Sequence, residues 1–429
     1  MSRRVIRPAA NILGALRLPG DKSISHRYAM LAGLAQGPSK FHNFSTGADC
    51  ASTLACLLGL GVKVEHDRNS HTVTIEGRSG QFSQPSTALD CGNSGSSMRM
   101  LSGILSGQAL ESELIGDESL SRRPMARVIE PLTQMGAQIE AREGNKAPLR
   151  IRGGKLRPIE YKPKVASAQV KSALLFAGLQ AEGETAIEEP HATRDHGELA
   201  LRAFGAEVKR SQNRVSIQGG QKLRGLEAMV PGDASSASFF FCAAALFPES
   251  NLVIEGLLMN PTRASLLDVM ATLGAKPKVL QLEEQHGELV GTVKIESGKL
   301  GGALIEGAQS AALIDELPVL AAIAPYTRDG IEIRDARELR VKESDRIALV
   351  AKNLRAMGAT VEEREDGLRV PGQQQLYGAE IDPAGDHRIA MAFTIAALRA
   401  QGDTVITDSD AAGVSFPEFY ELLDGVLER

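Results

Sequence analysis

One pattern recurs five times along the 429-residue chain: a helix-like segment ends in Leu-x-x-Φ-Gly-[Ala/Val], with Met replacing Leu once, and runs into a short alternating stretch. The copies are LLGLGVKVE, LTQMGAQIE, LRAFGAEVK, MATLGAKPKV and LRAMGATVEE. Their glycines, Gly61, Gly136, Gly205, Gly274 and Gly358, are separated by 75, 69, 69 and 84 residues. Each glycine suits the left-handed position that closes a helix, which only glycine occupies cheaply. The residues after it alternate as a half-buried strand does. One such joint would mean little, but five at regular spacing imply repeated α/β units, and a worn sixth copy is expected near LLDGVLER. A longer echo relates LPGDKSIS at Leu18–Ser25 to VPGDASSA at Val230–Ala237, an offset of 212 residues. A chain this long exceeds one ordinary core, so the sequence reads as two related halves that exchange at these echoes without a low-complexity linker.

The aromatic content is 4% with no Trp, so the core must be aliphatic. The net charge of −5 argues against a broad footprint for nucleic acid or an acidic membrane, and any basic site must be local. Cys50, Cys56, Cys91 and Cys242 form no C-x-x-C pair and no disulfide scaffold, which fits a reducing cytoplasm. The eight histidines show no zinc spacing. The N-terminal MSRRVIRPAANILGAL lacks the apolar run of a signal peptide, and no stretch approaches the ~20 apolar residues of a membrane span.

Several short strings have the residue types of anion sites. In Pro19-Gly20-Asp21-Lys22-Ser23-Ile24-Ser25-His26-Arg27 a Pro-Gly turn feeds a helix capped by Asp21 or Ser23, with Ile24, Tyr28 and Leu31 on its inner face. A helix start offering free amides, a hydroxyl, Lys22 and Arg27 can hold an anion; spacing alone equally allows a capped surface helix, and the P-loop pattern is absent. Asp90-Cys91-Gly92-Asn93-Ser94-Gly95-Ser96-Ser97-Met98-Arg99 is a small-residue loop opening a second helix, where a ligand could approach the backbone. Ser121-Arg122-Arg123-Pro124 offers a guanidinium, or only surface charge. Ala166-Ser167-Ala168-Gln169-Val170-Lys171-Ser172 places polar groups where a third helix begins, and Pro190-His191-Ala192-Thr193-Arg194-Asp195-His196 has the look of a functional loop, though its two histidines could equally be structural.

The second half holds the most suggestive group. Asp315 enters the apolar run IDELPVLAAIA, where it reads as a buried proton carrier or as a helix cap. Val341-Lys342-Glu343-Ser344-Asp345-Arg346 puts Lys342 and Arg346 one turn apart with an acid beside each, a pattern usually found as exposed ion pairs. Gly385-Asp386-His387-Arg388 adds an arginine at another helix start.

Taken in order, LPGDKSISHR, GNSGSSMR, SRRP, ASAQVKSALL, TRDH, PGDASSA, DELP, VKESDR, GDHR and SFPEF closely resemble the motifs of the 5-enolpyruvylshikimate-3-phosphate synthase family, over nearly the whole chain. The resemblance implies an α/β fold of two similar domains, each of three repeated β-α-β-α-β-β units (an inside-out α/β barrel), with the active site in the cleft between them. On the echoes, the domains are expected to be 1–20 with 232–429, and 21–231. The implied activity transfers the enolpyruvyl group of phosphoenolpyruvate to the 5-hydroxyl of shikimate 3-phosphate by addition and elimination, in aromatic amino acid (chorismate) biosynthesis, without metal or organic cofactor. Lys22, Asn93, Gly95, Arg123, Gln169, Arg346 and Arg388 would hold phosphoenolpyruvate. Ser23, Arg27, Ser167, Gln169, Arg194, Asp315 and Lys342 would hold shikimate 3-phosphate. Asp315 would deprotonate the hydroxyl, and Glu343, beside Lys342 and Lys22, would protonate C3. The two substrates would be the only partners, with no nucleic acid or membrane, for a cytoplasmic monomer. Gly95 keeps the family's small residue beside the phosphoenolpyruvate pocket, which implies a glyphosate target.

Three positions depart from the pattern. Ala168 stands where some members have a second serine, Val414 where some have a lysine, and Met100 where many have proline. Two rivals carry different predictions. The related transferase acting on UDP-N-acetylglucosamine lacks D-K-S-x-S-H-R and uses a loop cysteine, which none of the four cysteines here matches. A non-catalytic repeat protein binding phosphorylated ligands would need the cations but not the acids at Asp315 and Glu343.

Overall fold

The structure, a computed structural model, describes residues 2–263 and 265–429. It divides into two compact units, one formed by the residues up to Pro19 with Pro231–Gln285 and Leu289–Arg429, the other by Gly20–Val230 with His286–Glu288.

All five recurring glycines have positive φ, between 79° and 108°. The rest of the motif has the same explanation. The amide of the residue after each glycine (Val62, Ala137, Ala206, Ala275, Ala359) donates back to the carbonyl of the motif's first residue (Leu57, Leu132, Leu201, Met270, Leu354) at 2.9–3.1 Å. The glycine amide donates one residue further along, as at Gly61 to Leu58, which completes the double closure of a helix end. The two apolar residues that bracket the joint are buried in every copy, so the pattern encodes a hydrophobic clasp as well as a turn. Near LLDGVLER the expectation fails: the helix Phe419–Asp424 ends at Gly425 with φ −69°, and Val426 donates to Leu423 rather than further back.

After each clasp comes a hairpin, for example Lys63–Asp67 with Thr72–Arg78 and Gln138–Arg142 with Lys146–Arg152. The hairpins are built into sheets of one recurring order. In the Gly20–Val230 unit, Leu89–Asp90 lies parallel to Glu111–Ile115, which is antiparallel to Lys146–Arg152 and then Gln138–Arg142. The sheets begun by Glu160–Tyr161 and Glu227–Met229 repeat this order, as does the one begun by Gly302–Ile305 in the other unit. That other unit also holds a five-stranded sheet and a three-stranded sheet.

Inside each unit lie helices that are buried on nearly every side, even where they carry polar residues such as His26, Arg27 and Lys171. They are Lys22–Leu34, Gly95–Ser106 and Ala168–Gly178 in one unit, and Ala234–Ala245, Leu317–Ile323 and His387–Ala397 in the other. As the composition requires, the core is mainly aliphatic, with small aromatic clusters such as Tyr28, Phe41 and Phe204. Gly103 lets two of the helices touch through their backbones, since a Cβ there would stand 2.1 Å from the carbonyl oxygen of Ala173.

Two predictions follow from this packing. Helix propensity alone would make Gly103→Ala stabilising by about 1 kcal/mol, but the carbonyl should reverse the sign to a loss of about 2 kcal/mol. A gain in denaturant unfolding would show that the two helices can part. The second concerns His26, whose Nδ1 meets Thr53 Oγ1 at 2.7 Å and whose pKa is pushed down to about 3 by burial, with Lys22 and Arg27 adding to the shift and Asp49 opposing it. The native state therefore keeps it neutral while the unfolded chain takes up a proton below about pH 6.5. Its contribution is intact above that pH and is lost as pH falls toward 3, at up to about 1.4 kcal/mol per pH unit. Stability of His26→Asn should fall less steeply than that of the parent between pH 6 and 4, and parallel curves would exclude the effect.

Candidate active site

In the Gly20–Val230 unit the expected site residues gather at the starts of the three buried helices. Gly20 is required before the first, because a Cβ there would lie 1.9 Å from the Asn43 carbonyl oxygen. Asp21, not Ser23, is the cap, accepting from the Ile24 amide at 2.9 Å. Lys22 Nζ lies 2.9 Å from Asp49 Oδ2. Arg27 is buried, with Nε and Nη2 on Ser172 Oγ at 3.1 and 3.0 Å and Nη1 on the Ser23 carbonyl at 2.8 Å. Burial lowers its pKa to about 10; Glu198 and Asp21 oppose that shift, and the nearby charge of Arg194 adds to it.

The second helix is capped by Ser94. Asn93 donates to Asp117 Oδ2 at 2.6 Å and accepts from Arg123 Nη2 at 2.7 Å, which fixes that guanidinium beside Gly95. A Cβ on Gly95 would stand 2.7 Å from Arg99 Nη1 and 3.5 Å from Arg123 Nη1. The third helix is capped by Ser167, whose oxygen accepts from the Val170 amide at 3.4 Å. Gln169 ties it to the second, accepting from Arg99 at 2.8 Å and donating to Ser96 Oγ at 2.9 Å. The double arginine separates cleanly: Arg122 is exposed and paired with Glu118, whereas Arg123 is half-buried.

In the other unit Asp315 is the centre of a group of cations. Its Oδ1 lies 3.7 Å from Lys342 Nζ, 3.7 Å from Arg346 Nη1 and 3.9 Å from Arg388 Nε. Arg388 also donates to the Asp315 carbonyl at 2.9 Å and to Ser235 Oγ at 2.8 Å. Arg346 is 1% exposed and held by acids, Nε on Asp386 Oδ2 at 2.8 Å and Nη2 on Glu343 Oε2 at 2.5 Å. Burial works against its charge, but Asp386, Glu343 and Asp315 outweigh it and raise the pKa. The reverse holds for Asp386, where burial would raise the pKa but Arg346 and His387 bring it below the usual carboxylate range. Arg346 Nη1 is buried without a hydrogen-bond partner, a donor available to a ligand.

Two sequence expectations need correction. Lys342 and Arg346 are not one turn apart on a helix: Lys342 ends the 3-10 turn Arg337–Val341, and a loop separates it from the helix Arg346–Ala356, capped by Asp345. Nor is this run an exposed ion-pair stripe, since Arg346 is buried. Asp315 precedes its helix, which starts at Leu317, and the deeply buried acid is its neighbour Glu316, hydrogen-bonded to Ser235. Sequence reasoning also missed Asp49, Arg99 and Asp386. The quoted motif GDHR contained Asp386, and its position just before a buried helix was the signal of a cap.

At the three departures, Met100 is fully buried within its helix, and Ala168 and Val414 are half-buried. The four cysteines are buried and unbridged. Among the described residues no His, Cys, Asp and Glu side chains are grouped as a metal site, and no helix is long and apolar enough to cross a membrane.

Residues 6–423 match the family model for EPSP synthase (3-phosphoshikimate 1-carboxyvinyltransferase). The chain is 63% identical to the 3-phosphoshikimate 1-carboxyvinyltransferase of Koribacter versatilis over 99% of both chains. It is 53% identical to that of Solibacter usitatus over the same shares. Among solved structures, EPSP synthase from Acinetobacter baumannii superposes with a TM-score of 0.88 at 40% identity, covering 99% of this chain and 98% of the other. Matched from end to end in both sequence and fold, this chain belongs to the EPSP synthase family.

Proposed function

We propose that the chain transfers the enolpyruvyl group of phosphoenolpyruvate to the 5-hydroxyl of shikimate 3-phosphate, releasing phosphate and yielding 5-enolpyruvylshikimate 3-phosphate for aromatic amino acid biosynthesis. The observation that carries this reading is Asp315, a carboxylate set among Lys342, Arg346 and Arg388 within 3.9 Å. Binding anions would need the cations alone, whereas a proton acceptor among them suits a reaction that must strip a hydroxyl beside two anionic substrates.

On this reading Lys22, Asn93, Gly95, Arg123, Gln169, Arg346 and Arg388 bind phosphoenolpyruvate. Ser23, Arg27, Ser167, Gln169, Arg194, Asp315 and Lys342 bind shikimate 3-phosphate. Asp315 accepts the hydroxyl proton as the oxygen attacks C2, and Glu343 delivers a proton to C3. The tetrahedral intermediate then loses phosphate by C–O cleavage, and a proton leaves C3 to restore the double bond. Glu343 rests on Arg346 at 2.5 Å, so a substrate anion that engages this guanidinium also frees the acid. No step calls on a metal or organic cofactor. The inside-out α/β barrel of three repeats in each domain, 1–20 with 232–429 and 21–231, is part of the proposal. The strand order common to four four-stranded sheets, and contained in the five-stranded one, among the described residues supports it.

Purified protein should release phosphate from phosphoenolpyruvate with shikimate 3-phosphate and not with UDP-N-acetylglucosamine. Release only with the second would overturn the substrate, and release with neither would leave a binding protein. Asp315→Ala should fold as the parent does and lose about 10²–10⁴-fold in kcat; near-normal turnover would remove it from the mechanism. The four unbridged cysteines support a cytoplasmic setting, and a monomer should give a light-scattering mass close to 45.7 kDa, with twice that value excluding it.

A further inference from the structure

Beneath the Arg27 and Arg194 region lies a buried charge cluster that the proposed reaction does not use. Lys171, on the third buried helix of its unit, is 1% exposed, and its Nζ lies 3.0 Å from Glu189 Oε2 and 2.8 Å from Glu198 Oε1, both carboxylates equally buried. The same ammonium reaches the Thr193 carbonyl at 3.5 Å, and the Thr193 hydroxyl donates a short hydrogen bond to Glu189 Oε1. The Glu198 carboxylate is an ion-pair partner without hydrogen-bond alignment, and both its oxygens lack a hydrogen bond. Holding these charges out of water is a poor way to stabilise a fold, since well-packed apolar groups of the same volume often do as well or better. What the cluster fixes is geometry. Lys171 joins the helix whose start bears Ser167 and Gln169, the segment 189–195 that bears Arg194, and the helix His196–Ala203 through Glu198. The helix start at Gly197 is pressed against the first of these, for a Cβ there would stand 2.6 Å from Ser172 Oγ and 3.6 Å from Arg27 Nε. Arg194, one residue from Thr193, stands close enough to Arg27 for its charge to lower that residue's pKa, so its position depends on the segment that carries it.

We infer that Lys171, Glu189 and Thr193 form a clasp that positions Arg194 for the phosphate of shikimate 3-phosphate, with Thr193 a positioning residue and not a catalytic one. The inference rests on the assignment of Arg194 to that substrate. Lys171→Met would strand two buried carboxylates and could unfold the unit, so the test uses Thr193→Val, which keeps the shape and removes one hydroxyl. It should raise KM for shikimate 3-phosphate about tenfold, while kcat and KM for phosphoenolpyruvate stay within about twofold, and Thr193→Ser should restore the parent value. Because Thr193 acts through its neighbour, Thr193→Val should add nothing to KM once Arg194→Gln is present. An unchanged KM for shikimate 3-phosphate in Thr193→Val, equal rises for both substrates, or additive effects in the double variant would each overturn the clasp. If Arg194→Gln alone leaves that KM unchanged, the assignment of Arg194 fails and the clasp falls with it, whereas absence of turnover in the unmutated enzyme marks failure of the proposed reaction itself.

Discussion

In each unit three buried helices begin close together, and a buried helix start is a place where amides point into protein with no carbonyl to receive them. Much else in the structure answers that constraint. Asp21, Ser94 and Ser167 in one unit, with Asp233 and Asp386 in the other, each accept from an amide of the first turn. One cap leaves the other amides and the aligned dipoles of three helices still facing one region, which favours negative charge there. Substrates carrying phosphates and a carboxylate are therefore suited to a feature the fold has already produced. The side chains refine it, Arg123 from beside a helix start, Lys22 and Arg388 from first turns and Arg27 from a second.

Cations gathered in this way would repel one another in the unliganded protein, and the structure shows what restrains them. Lys22 leans on Asp49, Arg346 on Asp386 and Glu343, and Lys342 and Arg388 on Asp315. The acids differ in how firmly they hold. Asp386 is fully buried, bonded also to Ser344 and committed as a helix cap, so it serves as a permanent counter-ion for Arg346. Asp315, 18% exposed and at 3.7–3.9 Å from its cations, is beyond hydrogen-bond distance of each of those ammonium and guanidinium nitrogens. The overall charge of −5 is no obstacle, because the site is balanced locally.

The joints that end helices were legible in the sequence because closing a helix with a left-handed residue demands glycine, and because the clasp needs an apolar residue on each side of it. Gly61, Gly136, Gly205, Gly274 and Gly358 satisfy both demands. Gly425 satisfies neither, since a glycine after a helix is not obliged to turn left-handed. Helix starts were half legible. Asp, Ser and Lys-Ser strings marked where to look, but which oxygen caps, Asp21 or Ser23, depends on backbone angles that composition does not carry. The environment of a charge was least legible. Arg122 and Arg123 are neighbours with opposite fates, and Arg346 reads as surface charge until Asp386, forty residues on, is found against its guanidinium. A partner that distant leaves no trace in local spacing.

The echo between LPGDKSIS and VPGDASSA shows how one backbone device supports two chemistries. Asp21 and Asp233 accept from the amide three residues on, at 2.9 and 2.8 Å, and a Pro-Gly step precedes both. Beyond the cap the pair diverges. Lys22 corresponds to Ala234 and Arg27 to Phe239, so the first helix carries two cations where the second carries a methyl group and a ring packed against Phe419. What the second helix retains is the hydroxyl, Ser235, which joins Glu316 to Arg388. The cationic role has moved to the start of a different helix in that unit, where Asp386 both caps the turn and holds Arg346. Repetition of a backbone thus fixes where amides and dipoles point, while the placement of charge is free to differ between copies. This is why the repeat shows so clearly in the glycines and so poorly in the residues that do the chemistry.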